Sequence, residues 1–351
     1  MFEGDEIDVW NLSNGGVARC GAVDIFNIVG RVRDVSSLEE FMYQLNDGPE
    51  RPVFFVRHHT AGGRLRVPGE FAIDTITFAD LRSTNVLRLR TTRNGGRQRS
   101  QEILFRAKPF ESEEPRFRLD FEGIKVAEEV GQVVEGPWQI AADSHERTCL
   151  EVKPEDAGYD RIVLFGRKDW TTGYEVYARL AVTRIIGQHN IGLIFKWNPH
   201  KRGDGTKLPM TWSSGLAYYC SYAKRPGIRI RYGVQVRRDK SGRRHGDFVL
   251  AEAPLNSYWR MMLTRIKQIT RLSASATDLK LNQDYCFRMH VHPKRYELTV
   301  WPADSAEPSP QLVVDQPFDH LPQGSVGILA YQVGVRLYEF EVIPVDDVAI
   351  S

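Results

Sequence analysis

Glu175 and Tyr177 stand two apart in TGYEVYARL, Arg288 and His290 in YCFRMHVHP, and Thr299 and Trp301 in YELTVWP. Side chains two apart on a β-strand share one face. With Tyr174, Phe195, Phe287 and Leu298 turned inward, the outward stripe is Glu175, Tyr177, Lys196, Arg288, His290, Thr299 and Trp301. Aromatic rings stack on the apolar faces of pyranoses, while Arg, Lys and His donate to hydroxyls or carboxylates. The stripe therefore reads as a carbohydrate-binding surface. The competing reading is a solvated sheet face with ordinary cross-strand ion pairs, Glu175 with Lys196 among them.

Three further constellations carry weaker signals. Trp197 and His200 enter the Gly-rich segment WNPHKRGDG, either bordering a ligand site or marking a core tryptophan followed by a surface turn. Residues 224–244 hold nine Lys and Arg, and Arg229, Arg231 and Arg237 alternate with Ile228, Ile230, Val234 and Val236. Such a strand presents a basic face to an acidic polysaccharide or nucleic acid, or is an edge kept soluble by arginine. No RRM, KH, zinc-finger or helix-turn-helix pattern is present, so no nucleic-acid partner is expected. His290 and His292 share a face and could both ligate a metal. A third ligand is not visible, with His200, His245 and His320 as candidates, and plain surface histidines are the alternative.

If the stripe is catalytic, Tyr177 or His290 would be the base, with Arg288 and Lys196 neutralising a uronate carboxylate. A hydrolase would instead need two carboxylates about 5–10 Å apart, of which Glu175 is the one the alternation places, with Glu297 in phase beside it. No nucleophile elbow, P-loop, dinucleotide fingerprint or His-Glu-x-x-His motif occurs.

Composition sets the wider bounds. The chain has 351 residues, 47 Lys and Arg against 45 Asp and Glu, and 42% hydrophobic residues, which suits a globular protein with one large or two smaller cores. No apolar run reaches the 18 or so residues of a membrane helix, so no membrane span is expected. The start, MFEGDEIDVW, lacks a basic and an apolar signal region, so the chain is read as intracellular or as having lost a leader. Cys20, Cys149, Cys220 and Cys286 form no CxxC pair and are expected as free thiols.

The elements that must position these residues are strands. Over residues 1–107, apolar stretches at 25–32, 40–45, 53–57, 70–76, 86–92 and 101–106 alternate with turns such as NDGP, PG and NGG. That spacing predicts an antiparallel sandwich. GRVRDVSSLEEFMYQLNDGPERPV, GRLRVPGEFAIDTI and ADLRSTNVLRLRTTRNGG resemble the immunoglobulin- or cadherin-like modules of bacterial surface proteins, a likeness that implies a fold and no catalytic residues. Residues 108–115, with Pro109, Pro115 and three glutamates, read as a linker.

From residue 116 onward the pattern is again β, with strands expected at 117–121, 138–142, 148–152, 161–165, 174–182 and 191–197. Others fall at 216–222, 228–236, 285–291, 296–301, 325–331 and 335–343, and a helix is a candidate at 261–272. A dozen strands suit a large jelly roll. YDRIVLFGRKDWTTGYEV, GLIFKW, YCFRMHVHPKRYELTVWP and GSVGILAYQVGVRLYEFEV resemble the concanavalin-A/laminin-G-like sandwich. That fold hosts lectins, glycosidases, polysaccharide lyases and structural spacers. It implies carbohydrate as partner and, at family level, a structural Ca2+ near Asp160 or Asp204. The E-x-D-x-x-E strand of concanavalin-like glycosidases and the R-x-E-x-R and Q-I-H strands of jelly-roll alginate lyases are absent.

The fold class expected is thus all-β, an immunoglobulin-like sandwich followed by a concanavalin-A-like jelly roll over 116–351. The expected role is recognition of an acidic or extended polysaccharide, with Lys196, Trp197, His200, Arg288 and Trp301 as ligand contacts. A glycan-active enzyme using Tyr177, His290 and Glu175, and a non-catalytic protein-binding scaffold, are the alternatives.

Overall fold

The structure is a computed structural model. It describes residues 6–22, 25–58, 65, 67–110, 116–152, 160–170, 173–197, 216–222, 237–238, 244–245, 248–252, 280–292, 295–310, 312–315 and 324–345. The candidate strand at 228–236, the candidate helix at 261–272, His200, Asp204 and His320 lie outside these residues.

As the alternation predicts, the chain is all-β, a small sandwich followed by a larger one. The small unit packs a four-stranded sheet, with Ile7–Val9, Ile28–Val32, Glu70–Ile73 and Phe54–Phe55 in spatial order, on a five-stranded one. Ile28, Phe41, Phe71, Leu87, Leu89 and Phe105 fill the space between them. Phe41 meets Phe71 edge-on at 5.1 Å and Phe26 stacks on Phe105 at 5.3 Å. Three strands of this unit escape the sequence pattern, Ile7–Val9, Gly16–Cys20 and Arg51–Pro52. The second runs parallel to Arg97–Pro109, where an antiparallel neighbour was expected.

The larger unit is organised by two long strands, the 24-residue Tyr174–Trp197 and the 21-residue Gly324–Pro344. Sequence alternation divides each into two strands, and the structure joins them through a change of phase. Buried residues fall at Tyr174, Val176, Ala178, Leu180 and Val182, then at Ile191, Leu193 and Phe195. The partner strand repeats the slip, from Val326, Ile328 and Ala330 to Val333, Val335 and Leu337. The pairing of the two strands shifts register between Ile185 and Asn190. A bulge of this kind bends the strand and reverses which side chains face a given surface. Both halves therefore aim at one core, and the strand pair folds across it.

Contacts across that core define the two layers. Phe165, in the strand paired with residues 324–331, lies 4.4 Å from Phe340 in the other half of the closing strand. Phe195 meets Tyr296 edge-on at 5.3 Å. One layer holds Gln132–Glu135, Asp160–Trp170, residues 324–331 and 190–197, Leu216–Tyr222 and Phe248–Glu252. The other holds Trp138–Ala142, Thr148–Val152, residues 333–344 and 174–185, Asp284–Val291, Arg295–Pro302 and Leu312–Asp315.

The two units share buried contacts as well as the 108–115 connection. Val29, Val56, Leu65 and Ala72 of the small sandwich belong to the core of the large one. Asn11 Nδ2 donates to Asn27 O and Val133 O, Asn27 Nδ2 donates to Val134 O, and Gln132 Nε2 donates to Ile25 O. These amides satisfy backbone groups that burial would otherwise leave unpaired. Arg161 donates from Nη2 to Glu70 Oε1 at 2.8 Å, with side chains 3% and 2% exposed. Gly136, at φ +88°, makes room for that arginine, since a Cβ there would lie 2.0 Å from Arg161 Cδ.

Glu128, on the single turn Ala127–Glu129, is buried at the same interface and accepts a hydrogen bond from Ser13 Oγ. Desolvation by burial raises its pKa, outweighing the Ser13 bond. For an acid with a raised folded pKa, the stability contribution is complete below the ordinary carboxylate value. It is lost as pH rises through the folded value. Glu128→Gln keeps an acceptor for Ser13 and removes the charge. Melting temperatures of variant and wild type, compared from pH 4 to pH 8, are expected to diverge in the variant's favour as pH rises. A constant difference would refute the assignment.

Candidate functional site

The outer face of the layer containing residues 174–185 gathers most of the stripe, and strand pairing explains how. Glu175 stands opposite His290, which stands opposite Glu297. Tyr177 faces Arg288, which faces Thr299, and Arg179 faces Cys286, which faces Trp301. The inward neighbours Val176, Ala178, Phe287, Met289, Leu298 and Val300 are buried in the core, so alternation fixes the outward direction of the grid.

Arg288 is its centre. Its Nε lies 3.2 Å from Glu175 Oε1 and its Nη1 3.0 Å from Glu307 Oε2. The guanidinium sits 5.6 Å from the Tyr177 ring centre and 5.7 Å from that of Trp301, within the range of cation–π attraction. The two rings lie 6.4 Å apart. Glu175 also meets His290, with Oε2 3.4 Å from Nδ1, and His290 stacks on His292 at 5.7 Å. Glu175 and Arg288 keep 13% and 30% side-chain exposure. Trp301 is buried, at 6% exposure, and backs the patch.

Toward the other end of the grid the face becomes an ion network. Arg179 donates to Asp284 Oδ2 at 2.7 Å and to Glu339, and Arg147 donates to the same Asp284 and lies on the Tyr338 ring at 4.1 Å. Asp143 accepts from the backbone N–H of His145 and Arg147, from the Arg147 guanidinium and from Tyr338 Oη. Although desolvation works against it, these donors hold its carboxyl far below the ordinary aspartate value. Groups this fully paired position strands and leave few donors for a ligand.

The structure separates residues that alternation had grouped. Lys196 lies in the other half of the bent strand, within the opposite layer, as does Trp197 of the separate Trp197 and His200 constellation, which stands opposite Ser325. Glu175 is opposite His290 and Ile343, so the Glu175 and Lys196 cross-strand pair does not form. The period of a strand tells which side a residue takes; it does not tell where the strand bends. Conversely, Glu307 was missed because SAEPSP carries no strand period. It reaches Arg288 from the exposed turn after Arg295–Pro302.

Tyr177 fits poorly as a base. Its hydroxyl is 3.2 Å from Cys286 Sγ, and burial raises its pKa well above the ordinary phenol value. The thiols are equally unreactive in character. Cys20, Cys149 and Cys286 are free and buried, and burial pushes Cys20 up to about 11 and Cys149 up to about 12. Among the described residues no group of three or more His, Cys, Asp or Glu side chains is arranged to hold a metal ion. No described helix is long and apolar enough to cross a membrane.

No protein-family model matches the chain, and no curated protein matches it significantly. Among solved structures it is similar to the VIP36 exoplasmic/lumenal domain in its Ca2+- and Man2-bound form, with TM-score 0.42 and 9% identity over 66% of this chain and 88% of that one. It is similar to a legume lectin-like domain from Entamoeba histolytica, with TM-score 0.40 and 11% identity over 62% and 91% of the two chains. A third is the GH43 protein BlXynB mutant from Bacillus licheniformis, with TM-score 0.40 and 9% identity over 74% and 51%.

Proposed function

We propose that this protein binds carbohydrate through the outer face of its second sandwich, at the patch of Glu175, Tyr177, Arg288, His290 and Trp301. One observation carries the reading: a carboxylate, a guanidinium and an imidazole meet beside two aromatic rings on a single sheet face. Planar charged groups accept and donate pairs of hydrogen bonds to neighbouring hydroxyls, and the partly exposed Tyr177 ring, backed by Trp301, gives a sugar its apolar contact. The resemblance of this unit to concanavalin-A/laminin-G-like sandwiches supports the same reading.

Arg288 is offset by Glu175 and Glu307, so the patch lacks the surplus positive charge that a densely acidic polymer would require. A neutral or sparsely charged extended chain suits it better. Lys196, Trp197 and His200 fall outside the patch in this reading. The small unit, residues 1–107 with the 108–115 linker, is taken as an immunoglobulin-like module docked against the 116–351 binding unit.

The test is affinity electrophoresis in gels cast with soluble β-glucan, xylan, galactomannan or alginate. At least one neutral polymer is expected to retard the wild-type protein, and Arg288→Ala is expected to weaken retardation about tenfold, the effect of losing one charged contact. His290→Ala, which removes less of the ion pairing, serves where Arg288→Ala melts early. Unretarded migration in every gel, or retardation untouched by both substitutions, rules the patch out.

A further inference from the structure

The junction of the two sandwiches holds a feature that the outer-face patch does not use. Where the four-stranded sheet of the small unit diverges from Trp138–Ala142 of the large one, an open cleft of about 820 Å3 forms. That volume lies within the roughly 300–1,000 Å3 of small-molecule sites. Trp10, Trp138, Asp8, Arg31, Arg33 and Gln139 line it.

Trp10 is held in place and partly exposed. Its Nε1–H donates to Asp8 Oδ2 at 3.1 Å, and the Arg161 guanidinium sits 5.5 Å from its ring centre. Arg161 is itself fixed by Glu70 in the buried ion pair. Trp10 thus lines the cleft with its indole held from two directions, one face lying under Arg161. Around it, Asp8 and Arg31 stand opposite one another on paired strands, and Arg33 and Gln139 approach from the two units.

We propose that this cleft is a binding site for a short neutral oligosaccharide. The carboxylates of Asp8 and Asp34 balance the guanidiniums of Arg31 and Arg33, so the lining has no net preference for an ion of either sign. What it presents instead is an aromatic platform ringed by planar side chains that donate or accept two hydrogen bonds at once. Vicinal hydroxyls on a ring with an apolar face match that arrangement. The cleft draws its walls from both sandwiches, so it exists only when the two are docked. This inference stands apart from the outer-face patch and survives the failure of that reading.

Saturation-transfer NMR with cellotetraose, xylotetraose, mannotetraose and maltotetraose tests it. At least one is expected to bind at millimolar concentration or below in wild type, and still to bind in Arg288→Ala, whose outer patch is disabled and which serves as the background for the substitutions that follow. Trp10→Ala is expected to weaken that binding at least about tenfold. Because Trp10 also packs on the core, Arg33→Ala, an exposed position, carries the test where Trp10→Ala fails to fold, and is likewise expected to weaken binding. Absence of transfer from all four sugars overturns the proposal. So does binding that neither substitution moves, or that falls only in Arg288→Ala.

Discussion

Arg161→Met lowers the unfolding free energy by about 3–5 kcal/mol, the usual cost of removing one partner from a buried ion pair. The partner left behind is Glu70, whose side chain is 2% exposed and loses the Arg161 Nη2 donor at 2.8 Å. Its other oxygen accepts from Val67 N at 3.0 Å, and a neutral backbone donor replaces only part of what a charged partner supplies. Adding Glu70→Gln removes that charge, so the double variant is expected to recover a large part of the loss. Urea denaturation of the four proteins in this cycle gives the answer. A single-variant loss below about 1 kcal/mol, typical of an exposed pair, would mean that the two units are not locked by this contact.

Phe340→Ala is the second large effect, again about 3–5 kcal/mol. The ring is fully buried and lies 4.4 Å from Phe165 and 6.3 Å from Phe117, so its removal opens a cavity between the two layers. Relaxation is limited because both walls are hydrogen-bonded sheet. Leu104→Ala is the control: at 42% exposure it should move stability by no more than about 0.5 kcal/mol. Equal losses at the two positions would place Phe340 outside the closed core.

Alternation of side chains made the strands legible and, with them, the face shared by Glu175, Tyr177, Arg288, His290 and Trp301. Trp138–Ala142, Thr148–Val152 and Leu216–Tyr222 coincide with the stretches read from sequence. The bend was not legible. In IIGQHN the glycine and polar residues imitate a turn, whereas the chain passes through them as one strand and changes phase. That single misreading moved Lys196 onto the wrong layer. The junction was equally hidden, because Arg161 and Glu70 are 91 positions apart and no local rule pairs them. A lone arginine in the apolar run DRIVLF was the available hint, since a buried strand carries a charge only against a partner.

The closing strand Gly324–Pro344 runs beside Asp160–Trp170 in one layer and Thr148–Val152 in the other, and beside Tyr174–Trp197 in both. During synthesis neither layer can acquire its middle until that stretch leaves the ribosome. The earlier strands must wait, edges bare, for a partner more than a hundred residues downstream, a delay that slows assembly and invites pairing between neighbouring nascent chains. Premature termination ahead of residue 324 would therefore yield an aggregation-prone product, while the small sandwich, whose sheets close among residues 7–109, would have formed long before.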